Sequence, residues 1–169
     1  MAKLKPLQVG ESAPSFKFQK VDGERIDIGE LLGKPYLVYF YPKDNTPGCN
    51  QEACGFSDSF AEFERLGITI IGVSADSEKS HDKFRKKFSL PFPLVSDSDR
   101  TLFNAFYGAS GKSAIMGRIW VGANRMSFLV GSDGKILKTY ERVNTATHAK
   151  EVLADIRALS VNDEKCTQK

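Results

Sequence analysis

"YLVYFYPKDNTPGCNQEACGF" (Tyr36–Phe56) holds the change of pattern from which the rest of the chain is read. Tyr36 to Tyr41 is an unbroken apolar run of aromatic and β-branched residues, which suits a strand buried on both faces. A polar turn follows from Pro42 to Gly48. From Cys49 the apolar positions fall at Ala53, Phe56, Phe60, Phe63 and Leu66. Those steps of three and four make one helical stripe, and Gly67 is placed to end it. Two of the three cysteines lie here, Cys49 and Cys54, and Cys49 stands where strand gives way to helix. A structural disulfide, a metal site, a redox couple and coincidence all account for such a pair at this level.

Outward from this stretch the chain alternates. Upstream, "SFKFQKVDGERIDIGELLGK" alternates Phe16 and Phe18 with polar residues, turns at Asp22-Gly23 and alternates again at Ile26 and Ile28, as a short hairpin does. Downstream, Ile68 to Ser74 reads as a second buried strand. A polar helix follows in "SEKSHDKFRKKF", capped by Ser77 or Ser80. "FPLVSD" is a third, short strand, and a short helix is expected around Thr101 to Phe106. "RMSFLVGSDGKILKTYERV" reads as two strands joined at Ser132 to Gly134. A last helix is expected from about Thr147 to Leu159, followed by a polar tail that frays. Alternating strands and helices imply a partly parallel sheet, and the late hairpin adds an antiparallel edge. The expected fold is therefore α/β and thioredoxin-like: a mixed central sheet flanked by helices, with an N-terminal β-hairpin extension. One domain over residues 1–160 and a tail over 161–169 are expected.

The totals agree with one soluble domain: 169 residues, 41% hydrophobic and 27% charged. A net charge of +3 is too mild to argue for nucleic acid. The cluster Lys83, Arg85, Lys86 and Lys87 reads as a solvated helix face. No apolar run is long enough to span a bilayer, and "MAKLKPLQVGESAPSF" lacks the apolar core of a secretory signal. Three cysteines are too few for a disulfide scaffold and suit a reducing compartment. A cytoplasmic location is expected, with plastid or nucleus left open. With no apolar surface stripe in view, so is a monomer.

The position of Cys49 has a chemical consequence. The first N–H groups of a helix lack partners and its dipole is positive there, so a thiolate is favoured over the thiol. Cys54 is related to it by ~7.5 Å of rise and ~140° of rotation on an ideal helix. A disulfide rarely tolerates Cα atoms more than about 7 Å apart. The two therefore cannot bond unless the first turns unwind, which fits a transient bond better than a permanent one. Metal binding lacks ligands nearby, since the histidines, His81 and His148, stand far off in sequence and no Cys-x-x-Cys occurs. "GASGKS" (Gly108 to Ser113) imitates a phosphate-binding loop but has the wrong glycine spacing.

Pro42, Thr46 and Cys49 form the pattern Pro-x-x-x-Thr-x-x-Cys. With Cys54 five residues on, the stretch resembles the active site of the Q-type peroxiredoxins, also called bacterioferritin comigratory proteins. "VGESAPSF", "IIGVSADS", "FPLVSD" and "RMSFLVGSDGKI" resemble them too, so that the likeness covers about residues 8 to 160. The resemblance implies a thiol-dependent peroxidase with no metal, haem, flavin or other cofactor. It implies that Cys49 is the peroxidatic cysteine and Cys54 the resolving one. Arg125 matches the family's active-site arginine, though alone it would read as a strand-end charge facing water. Thr46 and the Cys49 N–H join Arg125 as donors to the reacting oxygens. Pro42 shields the sulfur, and ends a strand as well. Peroxide is the implied substrate, with thioredoxin or glutaredoxin as the electron donor. Arg118 is a nearby rival to Arg125, Trp120 reads as core, and Cys166 as an incidental thiol. A redox sensor that reports to a partner is the reading from another class.

Overall fold

The computed structural model describes residues 6–19, 23–31, 33–107 and 125–167. Trp120, Arg118 and the "GASGKS" decoy lie outside them. The elements run β1 (Lys17–Gln19), β2 (Arg25–Asp27), a 3-10 turn (Ile28–Leu31), β3 (Tyr36–Phe40), α1 (Pro47–Asp58) and α2 (Phe60–Arg65). Then come β4 (Thr69–Ser74), α3 (Glu78–Phe88), β5 (Leu94–Ser96), α4 (Thr101–Phe106), β6 (Met126–Val130), β7 (Ile136–Tyr140) and α5 (His148–Thr167). Among the described residues the strands form a two-stranded hairpin, β1–β2, and a five-stranded sheet in the order β5-β4-β3-β6-β7. β3 pairs parallel with β4 and antiparallel with β6, so the expected mixed sheet is present with β3 at its centre.

All five residues of β3 are buried, as an apolar run hydrogen-bonded on both sides requires. Because successive side chains point to opposite faces, β3 divides the core in two. Leu37 and Tyr39 join Cys49, Ala53, Phe56 and Phe63 under α1 and α2, together with Val152 and Ile156 of α5. Tyr36, Val38 and Phe40 join Phe18 and Ile26 of the hairpin with Phe103, Phe106 and Phe128 on the other face.

Two expectations are modified. The stripe from Cys49 to Leu66 is not one helix: it is interrupted at Ser59, between α1 and α2. The apolar period survives the break, because Phe56 and Phe63 are both fully buried and their rings meet edge to face. The last helix also runs beyond Leu159 to Thr167 in its backbone. Ser77, not Ser80, caps α3, its hydroxyl accepting the N–H of Ser80 at 3.1 Å. No helix among the described residues is long and apolar enough to cross a membrane.

Gly72, in the middle of β4, answers to the Tyr39 ring. A β-carbon there would lie 2.8 Å from Leu94 Cδ2 and 3.0 Å from both Cζ and the hydroxyl oxygen of Tyr39. Tyr39 in turn lies 4.8 Å, centroid to centroid, from Phe56 of α1. Gly72→Ala should therefore overpack the centre of the fold and cost about 1–3 kcal/mol of stability. Urea unfolding measures this, and an unchanged midpoint would mean that the Tyr39 ring has room to move.

Candidate active site

α1 begins at the carboxyl end of β3, the edge of an open α/β sheet where sites form. Thr46 is its N-cap in extended conformation, and Pro47 fills the first helical position, where a missing N–H costs nothing. The Thr46 hydroxyl does not cap the helix. It donates backwards to the Lys43 carbonyl at 3.0 Å. The N–H groups of Gly48 and Cys49, in the first turn, have no intrahelical acceptors. Cys49 is buried on the core side of this turn, and its thiol is free.

Arg125 immediately precedes β6. The antiparallel register places Met126 opposite Phe40, so Arg125 emerges beside the carboxyl end of β3. Its Nη2 donates to Cys49 Sγ at 3.4 Å and its Nη1 to Glu52 Oε1 at 2.8 Å. The guanidinium thus bridges the thiol and a carboxylate one turn further along α1. Burial works against its charge, but Glu52 and Cys49 outweigh burial and raise its pKa. The approach depends on Gly48, where a β-carbon would lie 3.1 Å from Nη2.

Glu52 was not among the residues singled out by sequence. It lies three positions after Cys49, a spacing that brings two side chains to one helix face, but a glutamate beside an apolar stripe reads as solvated. Here its side chain is wholly buried, and Oε2 has no hydrogen-bond partner. Beneath it Tyr39 is buried, its hydroxyl also without a hydrogen-bond partner; burial first, then Glu52 and Cys49, raise the Tyr39 pKa.

The remaining candidates are arranged around this centre. Cys54 is half-buried, a free thiol on the same unbroken helix as Cys49. The helix holds the two apart. Burial, then the neighbouring Asp58, pushes the Cys54 thiol pKa up. Pro42 is exposed and lines a cavity of about 150 Å³ with Phe40, Val73 and Phe103. Both histidines are buried near the site. His148 Nε2 is 2.7 Å from the Ser127 hydroxyl, and its ring packs edge-on against Phe56 and Tyr140. His81 is 2.7 Å from Asp44, in the loop before α1. No group of three or more His, Cys, Asp or Glu among the described residues is placed to hold a metal ion.

The sequence profile of the AhpC/TSA family matches residues 9–139. The chain is 37% identical over 150 residues to "Peroxiredoxin Bcp" of Escherichia coli, covering 89% of this chain and 96% of that protein. It is also 37% identical over 154 residues to "Peroxiredoxin Bcp" of Bacillus subtilis, covering 91% and 98%. Among solved structures it is similar to peroxiredoxin Q of Xanthomonas campestris, with a TM-score of 0.71 and 35% identity over 85% of this chain and 90% of that one. Peroxidoxin BcpB of Mycobacterium tuberculosis matches with a TM-score of 0.74 and 28% identity, over 90% and 97%.

Glu52 carries a consequence for stability. Burial pushes its carboxyl from 4.5 up to about 7, against the pull of Arg125. Between those values the folded chain keeps a proton that the unfolded chain releases, so this contribution to stability is lost as pH rises towards 7. His148 acts in the opposite sense, because burial lowers it from 6.5 to about 4 and its contribution grows as pH rises over that interval. Comparing Glu52→Gln with wild type cancels the histidine. Urea unfolding at about pH 5 and about pH 8 should find the variant gaining relative to wild type at the higher pH. A difference that does not change with pH would mean that Glu52 is already ionised at the lower one.

Proposed function

The chain belongs to the AhpC/TSA family, in its Bcp or peroxiredoxin Q branch, and we propose that Cys49 is the thiol on which it reduces peroxides. Thiol-dependent peroxidase activity goes with that membership. The observation that carries the assignment to Cys49 is the Arg125 guanidinium 3.4 Å from its sulfur, at the first turn of a helix. Arg125 aims a donor at that sulfur, and the first turn of the helix adds N–H groups without intrahelical acceptors.

The thiolate attacks one peroxide oxygen. A sulfur–oxygen bond forms as the oxygen–oxygen bond breaks, and the leaving hydroxide or alkoxide takes a proton to become water or alcohol. Negative charge moves from sulfur to the departing oxygen. Donors fixed along that line stabilise the transition state more than the thiolate ground state. Arg125, the Cys49 N–H and the Thr46 hydroxyl are the donors proposed here. For Thr46, turning from the Lys43 carbonyl to the peroxide would release its present bond. Pro42 gives the loop a rigid, N–H-free residue, proposed to shield the sulfur from water.

Cys49 leaves this step as a sulfenic acid. Cys54 then condenses with it, releasing water and forming a disulfide, once the first turns of α1 have opened. A dithiol such as thioredoxin or glutaredoxin returns both thiols by exchange and leaves as its own disulfide. Hydrogen peroxide and organic hydroperoxides are the proposed substrates. In support, work on the Xanthomonas campestris bacterioferritin comigratory protein concerns its alkyl peroxide reduction. A monomer is proposed, since the large exposed apolar side chains among the described residues are Val9 and Leu137, too few for a patch. A reducing cytoplasm suits the cycle.

Two experiments test the assignment. With thioredoxin and its reductase supplied, Cys49→Ser should consume no peroxide, whereas Cys54→Ser should complete one turnover and then stall. Sustained turnover by Cys54→Ser equal to wild type would remove Cys54 from the cycle. Gly48→Ala should remain folded, as the end of a flexible arginine is all that must yield. Its single-turnover rate should nonetheless fall roughly tenfold as Arg125 is displaced from the sulfur. A wild-type rate would mean that the guanidinium reaches the thiol by another path.

A further inference from the structure

Between the end of β3 and Thr46 the chain passes through a loop whose shape is set from outside. Tyr41 and Asp44 are buried. One Asp44 carboxylate oxygen accepts from the Tyr41 hydroxyl at 2.7 Å; the other accepts from the Ser80 hydroxyl at 2.8 Å and from His81 Nδ1 at 2.7 Å. The second nitrogen of His81, Nε2, faces the Val95 carbonyl at 3.0 Å. The Asp44 N–H donates to Asp76 at 2.8 Å, and Lys87 Nζ donates to the Asn45 side chain at 2.9 Å. Asn45 itself adopts a left-handed conformation, φ 58°, which asparagine tolerates better than most residues.

Apart from the Tyr41 bond, these ties come from α3 and the turn before it, and they reach Asn45, the residue next to Thr46. Burial raises the Asp44 pKa, but the bonds from His81, Tyr41 and Ser80 outweigh it and hold the carboxyl low. A buried hydrogen-bonded pair is a modest source of stability, because folding exchanges bonds to water for bonds within the protein. What it supplies is direction: each bond fixes a distance and an angle, where an apolar contact would allow the loop to slide.

We propose that His81 is a positioning residue for the peroxidase reaction, acting through Asp44 to fix the loop that sets Thr46 and the first turn of α1 around Cys49. His81 itself touches neither sulfur nor substrate. The proposal rests on Cys49 being the peroxidatic thiol. It adds that the donors around Cys49 are aligned from α3, a helix with no direct part in the chemistry. Attack on a peroxide needs that alignment. Alkylation by iodoacetamide needs only the thiolate.

The ratio of the two rates is therefore the readout. Reduced full-length protein is mixed with hydrogen peroxide or with iodoacetamide, and modification of Cys49 is followed by peptide mass spectrometry after a quench. His81→Leu should lower the peroxide-to-iodoacetamide ratio roughly tenfold or more. His81→Asn, whose amide offers a donor close to the position of Nδ1, should recover most of it. Partial unfolding alone would not lower the ratio in this selective way. An unchanged ratio in His81→Leu, or an equal fall in Leu and Asn variants, would overturn the proposal. Should His81→Leu not fold, Ser80→Ala and Tyr41→Phe decide. Each removes one donor from Asp44, and the ratio should fall roughly threefold; no change in either would overturn it. A wild-type protein with no preference for peroxide would overturn the reading of Cys49 as well, which distinguishes the two failures.

Discussion

β3 is hydrogen-bonded on both sides and buried on both faces, and this constraint decides where everything else converges. Its parallel neighbour and its antiparallel neighbour bring different ends to the same edge. The carboxyl end of β4 arrives from one side and the residue preceding β6 from the other. α1 must start there, since the polar loop cannot remain in the core. A thiol in the first turn, an arginine before β6 and a carboxylate one turn along therefore meet at one edge although 76 residues of chain separate the outermost pair.

Two polar side-chain pairs flank the start of α1, and they differ in kind. Arg125 and Glu52 share the cysteine's own surroundings, and one oxygen of Glu52 is left without a partner. That is an expensive arrangement, and it places a titrating carboxyl beside the guanidinium that meets the sulfur. Asp44 and His81 stand on the loop side with their polar atoms largely satisfied. The first pair reaches the Cys49 sulfur directly through Arg125; the second holds the loop before it.

α1 faces opposed requirements. Intact, it buries Cys49, Ala53 and Phe56 against Tyr39 and the central sheet. In the proposed cycle it must also open so that Cys54 reaches Cys49. The break at Ser59 makes these compatible, because α2 is a separate helix with its own buried anchor, Phe63. Opening the first turns need not disturb α2, and the loop before α1 is held from α3 rather than from α1 itself. Local opening of this kind draws on the less stable end of the structure while the sheet stays closed.

The layout of the fold was legible in the sequence because periodicity is local. Tyr36 to Tyr41 announces a buried strand, the stripe from Cys49 announces a helix, and their junction puts a cysteine at a helix start. Pro42, Thr46, Cys49 and Cys54 lie within thirteen residues of one another, so a local resemblance to one family motif was enough to expose them. The break at Ser59 was not legible, since the apolar period continues through it. Nor was the role of Glu52, His81 or Asp44, whose residue types usually face water. Arg125 was recognisable by resemblance, but only strand pairing brings its guanidinium to the sulfur. By itself the sequence determined which segments form strands and helices and which thiol stands at the junction. The charges that surround that thiol were decided by tertiary structure alone, because burial and pairing across 37 to 76 residues are properties of the packed sheet and leave no period in the chain.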